Sequence, residues 1–207
     1  HTSVVNIEGA HQIFSFVNRI LDDSGKAPLI NVQLVGLSKQ TSQRNGMFTI
    51  NPDVLIGDVK KTDLIIIPAI HGNPKDVAEQ NKDFIPWIIK HYKSGSEVAS
   101  FCIGSFFLAQ TGLLNGKPAT THWGYANEFR TMFPEVTVLD EKIMTEKDGI
   151  YTSGGAYSYL NLVLYLIEKH FGREISVIIA KSFMIDIDKT SQSPFIIFKG
   201  QKTHDDD

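Results

Sequence analysis

Ala99-Ser100-Phe101-Cys102-Ile103-Gly104-Ser105 is the stretch on which the fold turns. Glu97 to Phe101 (EVASF) reads as an apolar strand that runs straight into Cys102, and Gly104 to Leu114 reads as a helix beginning just after it. Small residues stand two before the cysteine (Ser100) and two after (Gly104). This is the small-x-nucleophile-x-small pattern of a nucleophile elbow, with Cys in place of Ser. Crowding is the reason: the turn is strained, and larger side chains at those two positions would clash across it. A helix N-terminus at the sulfur favours thiolate, and the Ile103 N–H becomes a natural oxyanion donor. The alternative is a buried structural cysteine, the usual state of a lone one.

Outward from this stretch, strands and helices alternate. Ile7 to Leu21 carries apolar residues at helical spacing. Leu29 to Val35 (LINVQLV) reads as a strand, Met47 to Ile50 as a shorter one, and Asp63 to Pro68 (DLIIIP) as a strand covered on both faces. Asp76 to Tyr92 reads as one helix. Short β segments are expected at Thr137 to Leu139, Lys142 to Met144 and Ile150 to Thr152, and helices at Tyr157 to His170 and Arg173 to Ile185, with Gly172 as the stop between them. The pattern predicts an α/β fold: a doubly wound, mostly parallel, flavodoxin-like sheet with helices on both faces. Such a domain normally opens with a buried strand, whereas here a helix comes almost at once, so an upstream strand is expected.

Composition narrows the function. The 207 residues carry a formal net charge of −3, and the Lys and Arg residues are scattered. A self-sufficient nucleic-acid binder usually has a basic face. One cysteine permits no internal disulfide, and the seven histidines form no close-spaced cluster of the kind a structural zinc needs. No metal and no cofactor are expected. No apolar run reaches the length of about 20 residues that a membrane helix requires, and no signal peptide is visible. A cytoplasmic address follows as the expectation.

Other candidates gather at the carboxyl ends of the strands, where doubly wound sheets place their sites. His122, in Ala119-Thr120-Thr121-His122-Trp123, is a candidate base or ion-pair partner for Cys102; alternatively it caps a helix or packs on Trp123. His71 and Gly72 follow the DLIIIP strand, where a backbone N–H is a candidate second oxyanion donor, although Gly and Asn are ordinary loop residues. In Thr152-Ser153-Gly154-Gly155, Ser153 and Gly154 allow close approach of a ligand or form a plain tight turn.

Cys102 through Trp123 reads CxGxxxLAxxGLLxGxxATTHW. This resembles the glutamine-amidotransferase-like (ThiJ/PfpI) N-terminal domains of AraC-type transcription regulators. The likeness extends to Gly9-Ala10, Phe133-Pro134, Thr152 to Gly155, Asn161-Leu162 and Ser191-Gln192-Ser193-Pro194-Phe195. It implies a sensor domain over residues 1–200. His204-Asp205-Asp206, within residues 201–207, resembles the start of a linker to a helix-turn-helix unit that this chain does not contain.

The resemblance implies a small-molecule effector, contact with DNA only through that missing unit, no membrane contact and a homodimer. Catalytic relatives such as isonitrile hydratases bring an acid toward the cysteine; Asn6 stands at that position here, with Glu8 on another face. Asn161 replaces a frequent Asp, and Gly154 a frequent Ala. The missing acid favours ligand sensing. The alternatives are a cysteine-dependent hydratase or amidase using Cys102 and His122, and an oxidant sensor in which Cys102 forms a sulfenic acid.

Overall fold

Leu64, Ile66, Ala99, Phe101 and Tyr151 point to one side of a sheet, and Ile65, Ile67, Val98 and Ile150 to the other. That alternation, with both sides apolar, forces helices onto both faces. The computed structural model describes residues 2–43 and 45–197. Its elements run α1 (Val4–Asp23), β1 (Val35–Gly36), β2 (Thr41–Gln43), β3 (Phe48–Ile50), β4 (Val54–Leu55), β5 (Leu64–Ile67), α2 (Pro74–Gln80), α3 (Phe84–Lys93), β6 (Glu97–Ser100) and α4 (Gly104–Gln110). Then come β7 (Pro118–Ala119), α5 (Ala126–Met132), β8 (Thr137–Val138), β9 (Met144–Lys147), β10 (Ile150–Ser153), α6 (Tyr159–Phe171) and α7 (Arg173–Ser182). The central sheet has the order β5-β6-β10-β9, with only β9 antiparallel. One core joins it to α1, α6 and α7, the other to α3, α4 and α5. The expected doubly wound α/β class is what the chain adopts.

Three expectations need correction. Leu29 to Val35 is not a strand until its last residue: only Val35 and Gly36 pair, in parallel with Val54 and Leu55. Ile30 and Val32 still pack on the core, but Leu29 is 69% exposed. The Asn18 side chain takes the place of a neighbouring strand: it accepts from the Leu29 and Ile30 N–H groups and donates to the Ile30 carbonyl at 2.6 Å.

Asp76 to Tyr92 is two helices, broken at residues 81–83. Pro86 has no N–H and its ring excludes the carbonyl four residues back, so it is tolerated only in a first turn, and α3 restarts two residues before it. The segment expected as Lys142 to Met144 is instead β9, which runs on to Lys147 because Thr145, Glu146 and Lys147 pair with β10. The expected linker start, residues 201–207, lies outside the described residues.

Candidate active site at the Cys102 turn

β6 ends at Ser100, and Cys102 turns the chain into α4 with a φ of 53°, the left-handed region that a non-glycine residue rarely enters. Such a conformation costs roughly 1–3 kcal/mol and persists only where the surroundings enforce it. Here they do. The Cys102 N–H donates to the Ser153 carbonyl at 3.1 Å, and the Cys102 carbonyl accepts from Ser105 Oγ at 3.0 Å and Thr121 Oγ1 at 3.3 Å. Gly104 must be glycine: a Cβ there would stand 2.6 Å from the Pro68 carbonyl oxygen. Ser100 is fully buried, and its hydroxyl has no hydrogen-bond partner among the described residues.

Cys102 is 6% exposed, and burial pushes its thiol up to about 11. The Ile103 N–H, expected to serve an oxyanion, is directed at the sulfur and offsets only part of that penalty. Desolvation outweighs the end of α4, which is only seven residues long.

His122 is half-buried at the start of the next turn. Its Nδ1 accepts from the Gly124 N–H at 3.0 Å, and its ring packs 5.2 Å from Trp123 and 5.7 Å from Tyr125. Burial lowers its pKa. The ring is therefore neutral near pH 7, with its proton on Nε2. It would have to release the Gly124 N–H before accepting a proton from Cys102.

Asn6 is buried on α1, and its Oδ1 accepts from the Ala69 N–H just beyond β5 at 3.2 Å. It thus braces the same sheet edge as Gly104. Glu8 faces elsewhere, into a shallow groove of about 360 Å³ shared with His11 and Phe183. His71 and Gly72 sit in an exposed loop after β5, Gly72 with a φ of 133°. Ser153 and Gly154 are buried beside Cys102. Strand ends thus bring Cys102, Ile103 and Ser153 into contact, and Thr121 carries His122 to the same edge. Among the described residues, no group of three His, Cys, Asp or Glu side chains is placed to hold a metal ion.

A profile of the DJ-1/PfpI family matches residues 23–169. The chain belongs to the DJ-1/PfpI family. This DJ-1/PfpI domain is 29% identical over 141 residues to the HTH-type transcriptional regulator CdhR of Pseudomonas aeruginosa, a match that covers 68% of this chain and 40% of the relative. It is 31% identical over 125 residues to an isonitrile hydratase of Pseudomonas putida, covering 59% of this chain and 52% of that protein. In structure it resembles an AraC family transcriptional regulator from Pseudomonas putida, with a TM-score of 0.71 at 15% identity, covering 88% of this chain and 94% of the other. The curated regulators it matches are longer proteins, of which the matched part is about two fifths or less.

Sequence reasoning passed over one residue packed beside this turn. Gln192 appears in the sequence only as part of a resemblance. In the structure its amide is buried against Gly154, Gly155 and Thr121. Its partners lie 37 to 72 residues away, beyond any local pattern.

Proposed function

We propose that this domain is the small-molecule-sensing unit of an AraC-type transcription regulator, acting as a cytoplasmic homodimer and reaching DNA through a helix-turn-helix unit elsewhere in the protein. The observation that carries this reading is the state of the Cys102 turn. Its geometry is kept at an energetic cost, while its thiol is buried, neutral and without a free base. A site maintained in shape but not armed for attack suits recognition better than turnover. The effector would be small and polar, held among Ser153, Gly154, His122 and the loop at His71 and Gly72. Regulators among the relatives support the same reading, as does Asn6 at the position where catalytic relatives place an acid.

The isonitrile hydratase relative keeps a second reading open, in which Cys102 attacks and His122 moves the proton. Thermal melting against a panel of free amino acids, amides and small amines separates the two. A saturable rise in Tm with no product formed supports sensing, since a ligand at 100 times its Kd stabilises by about 2.7 kcal/mol. Conversion of an isonitrile or amide by the wild type, lost in Cys102→Ala, would overturn it.

A further inference from the structure

Gln192 is 2% exposed, and every polar atom of its side chain is engaged. Nε2 faces four oxygens: the carbonyls of Asp140 at 2.7 Å, Thr121 at 3.0 Å and Lys142 at 3.2 Å, and Thr120 Oγ1 at 3.3 Å. Oε1 accepts from the Gly155 N–H at 2.8 Å. Acceptors on one side and a donor on the other fix which way the amide points. The main chain around it is bound to the same region: the Gln192 N–H donates to the Glu141 carbonyl at 2.9 Å, the Ile143 N–H to the Thr190 carbonyl at 3.2 Å, and Ser191 Oγ to the Glu141 carbonyl.

The fit on the other side leaves no slack. A Cβ on Gly154 would stand 2.7 Å from the Gln192 amide atoms. Gly155 lies between Gln192 and the site histidine, since a Cβ on it would be 3.4 Å from Gln192 Oε1 and 3.7 Å from the His122 ring. Ser153, one residue before this loop, accepts the Cys102 N–H. A single buried amide thus joins the loop beside Cys102, the strand end that carries His122, and the segment 190–195 at the far end of the described chain.

We propose that Gln192 is a latch, a positioning residue that clamps the Gly154–Gly155 loop and segment 190–195 to each other and to the strand end that carries His122. A ligand that displaces the loop releases the segment, and release of the segment opens the Cys102 site. Coupling of this kind is reciprocal. The use of the latch for signalling rests on the sensing reading above; its mechanics do not. The bistability comes from the partner count: half-engaged, the amide leaves buried donors and acceptors unpaired, so intermediate positions are disfavoured.

Hydrogen exchange by mass spectrometry and alkylation of Cys102 by iodoacetamide, on wild type, Gln192→Ala, Gly154→Ala and the double variant, test this without an effector. Gln192→Ala is expected to raise exchange about tenfold both in 190–195 and in 153–156, with α6 unchanged, and to speed alkylation several-fold. Gly154→Ala is expected to loosen 190–195 from the opposite side, and the double variant to exceed the larger single effect by less than about twofold. Should Gly154→Ala not fold, Gln192→Met, which keeps volume and removes the polar contacts, is expected to reproduce Gln192→Ala. Loosening confined to 190–195, uniform loosening of the whole domain, or fully additive variants would overturn the latch. These readouts stand apart from sensing. A domain that binds nothing in the ligand panel can still show the coupling, and one that binds a ligand can lack it.

Discussion

The amino end of the central sheet is held by charges, and its carboxyl end by neutral groups. At the amino end, Lys169 Nζ donates to Glu97 at 2.8 Å and Glu146 at 3.2 Å, bonds the Tyr151 hydroxyl and stands over the Tyr151 ring. His170 lies 2.8 Å from Glu97, and Tyr165 donates to Glu146. At the carboxyl end, Thr120, Thr145, Thr152 and Gln192 exchange hydrogen bonds with one another and with carbonyls. The difference separates two jobs. Charges fasten α6 to the sheet. The carboxyl end is knit by neutral side chains and carbonyls, and under the sensing reading a ligand of modest polarity would compete for these partners.

The largest effect is expected at Gly104. Gly104→Ala drives a methyl into the Pro68 carbonyl, and overpacking against backbone costs roughly 2–3 kcal/mol. Urea unfolding is expected to show that loss as a lower midpoint at unchanged slope. A change below about 0.5 kcal/mol would mean that the turn is free to shift.

Lys169→Met tests the other end. Lys169 is about one third exposed, so the expected loss is about 1 kcal/mol. Its pH dependence is the sharper mark. Burial alone would raise the Glu97 and Glu146 carboxyls, but hydrogen bonds from Lys169, Tyr151, His170 and Tyr165 hold both below their ordinary values. A depressed folded pKa gives stability that is present above the unfolded carboxylate value of about 4.3 and is lost as the pH falls through the folded value. The wild type should lose stability across that window, and Lys169→Met should lose less. Equal slopes would remove the charged end from the comparison.

The smallest effect is expected from His122→Ala on the thiol. Alkylation of Cys102 should accelerate with pH toward an apparent pKa near 11, far above the free-thiol value of about 8.5. A neutral His122 contributes no charge to the sulfur, so the variant should leave that value in place. An apparent pKa below about 8.5 that rises in the variant would put an ion pair at the carboxyl end and erase the contrast.

What could be read from the sequence was whatever lay within a few residues of itself. Ser100, Cys102 and Gly104 are a local pattern, and the turn between β6 and α4 follows from it. The runs Leu64–Ile67 and Glu97–Ser100 announce buried strands by composition alone. β2 escaped notice because Thr41-Ser42-Gln43 has no apolar alternation; it forms by pairing with β3. Leu29 to Val35 has the alternation of a strand but is tied to Asn18 instead, and no residue in the segment says so. At the site, the raised thiol arises from burial by distant elements, which a helix-terminus argument does not contain. The cap on His122, one of the readings the sequence left open, depends on the position of a single backbone N–H two residues on.

Gly104 has one more implication. With the Pro68 and Ile67 carbonyls standing 2.6 and 3.0 Å from the place of its absent Cβ, the Cys102 turn rests on a hard stop. It is the stator of the domain, a reference surface against which other parts are measured. In a change of state of the kind proposed above, the pieces that face it would move and the sulfur would stay where the sheet puts it.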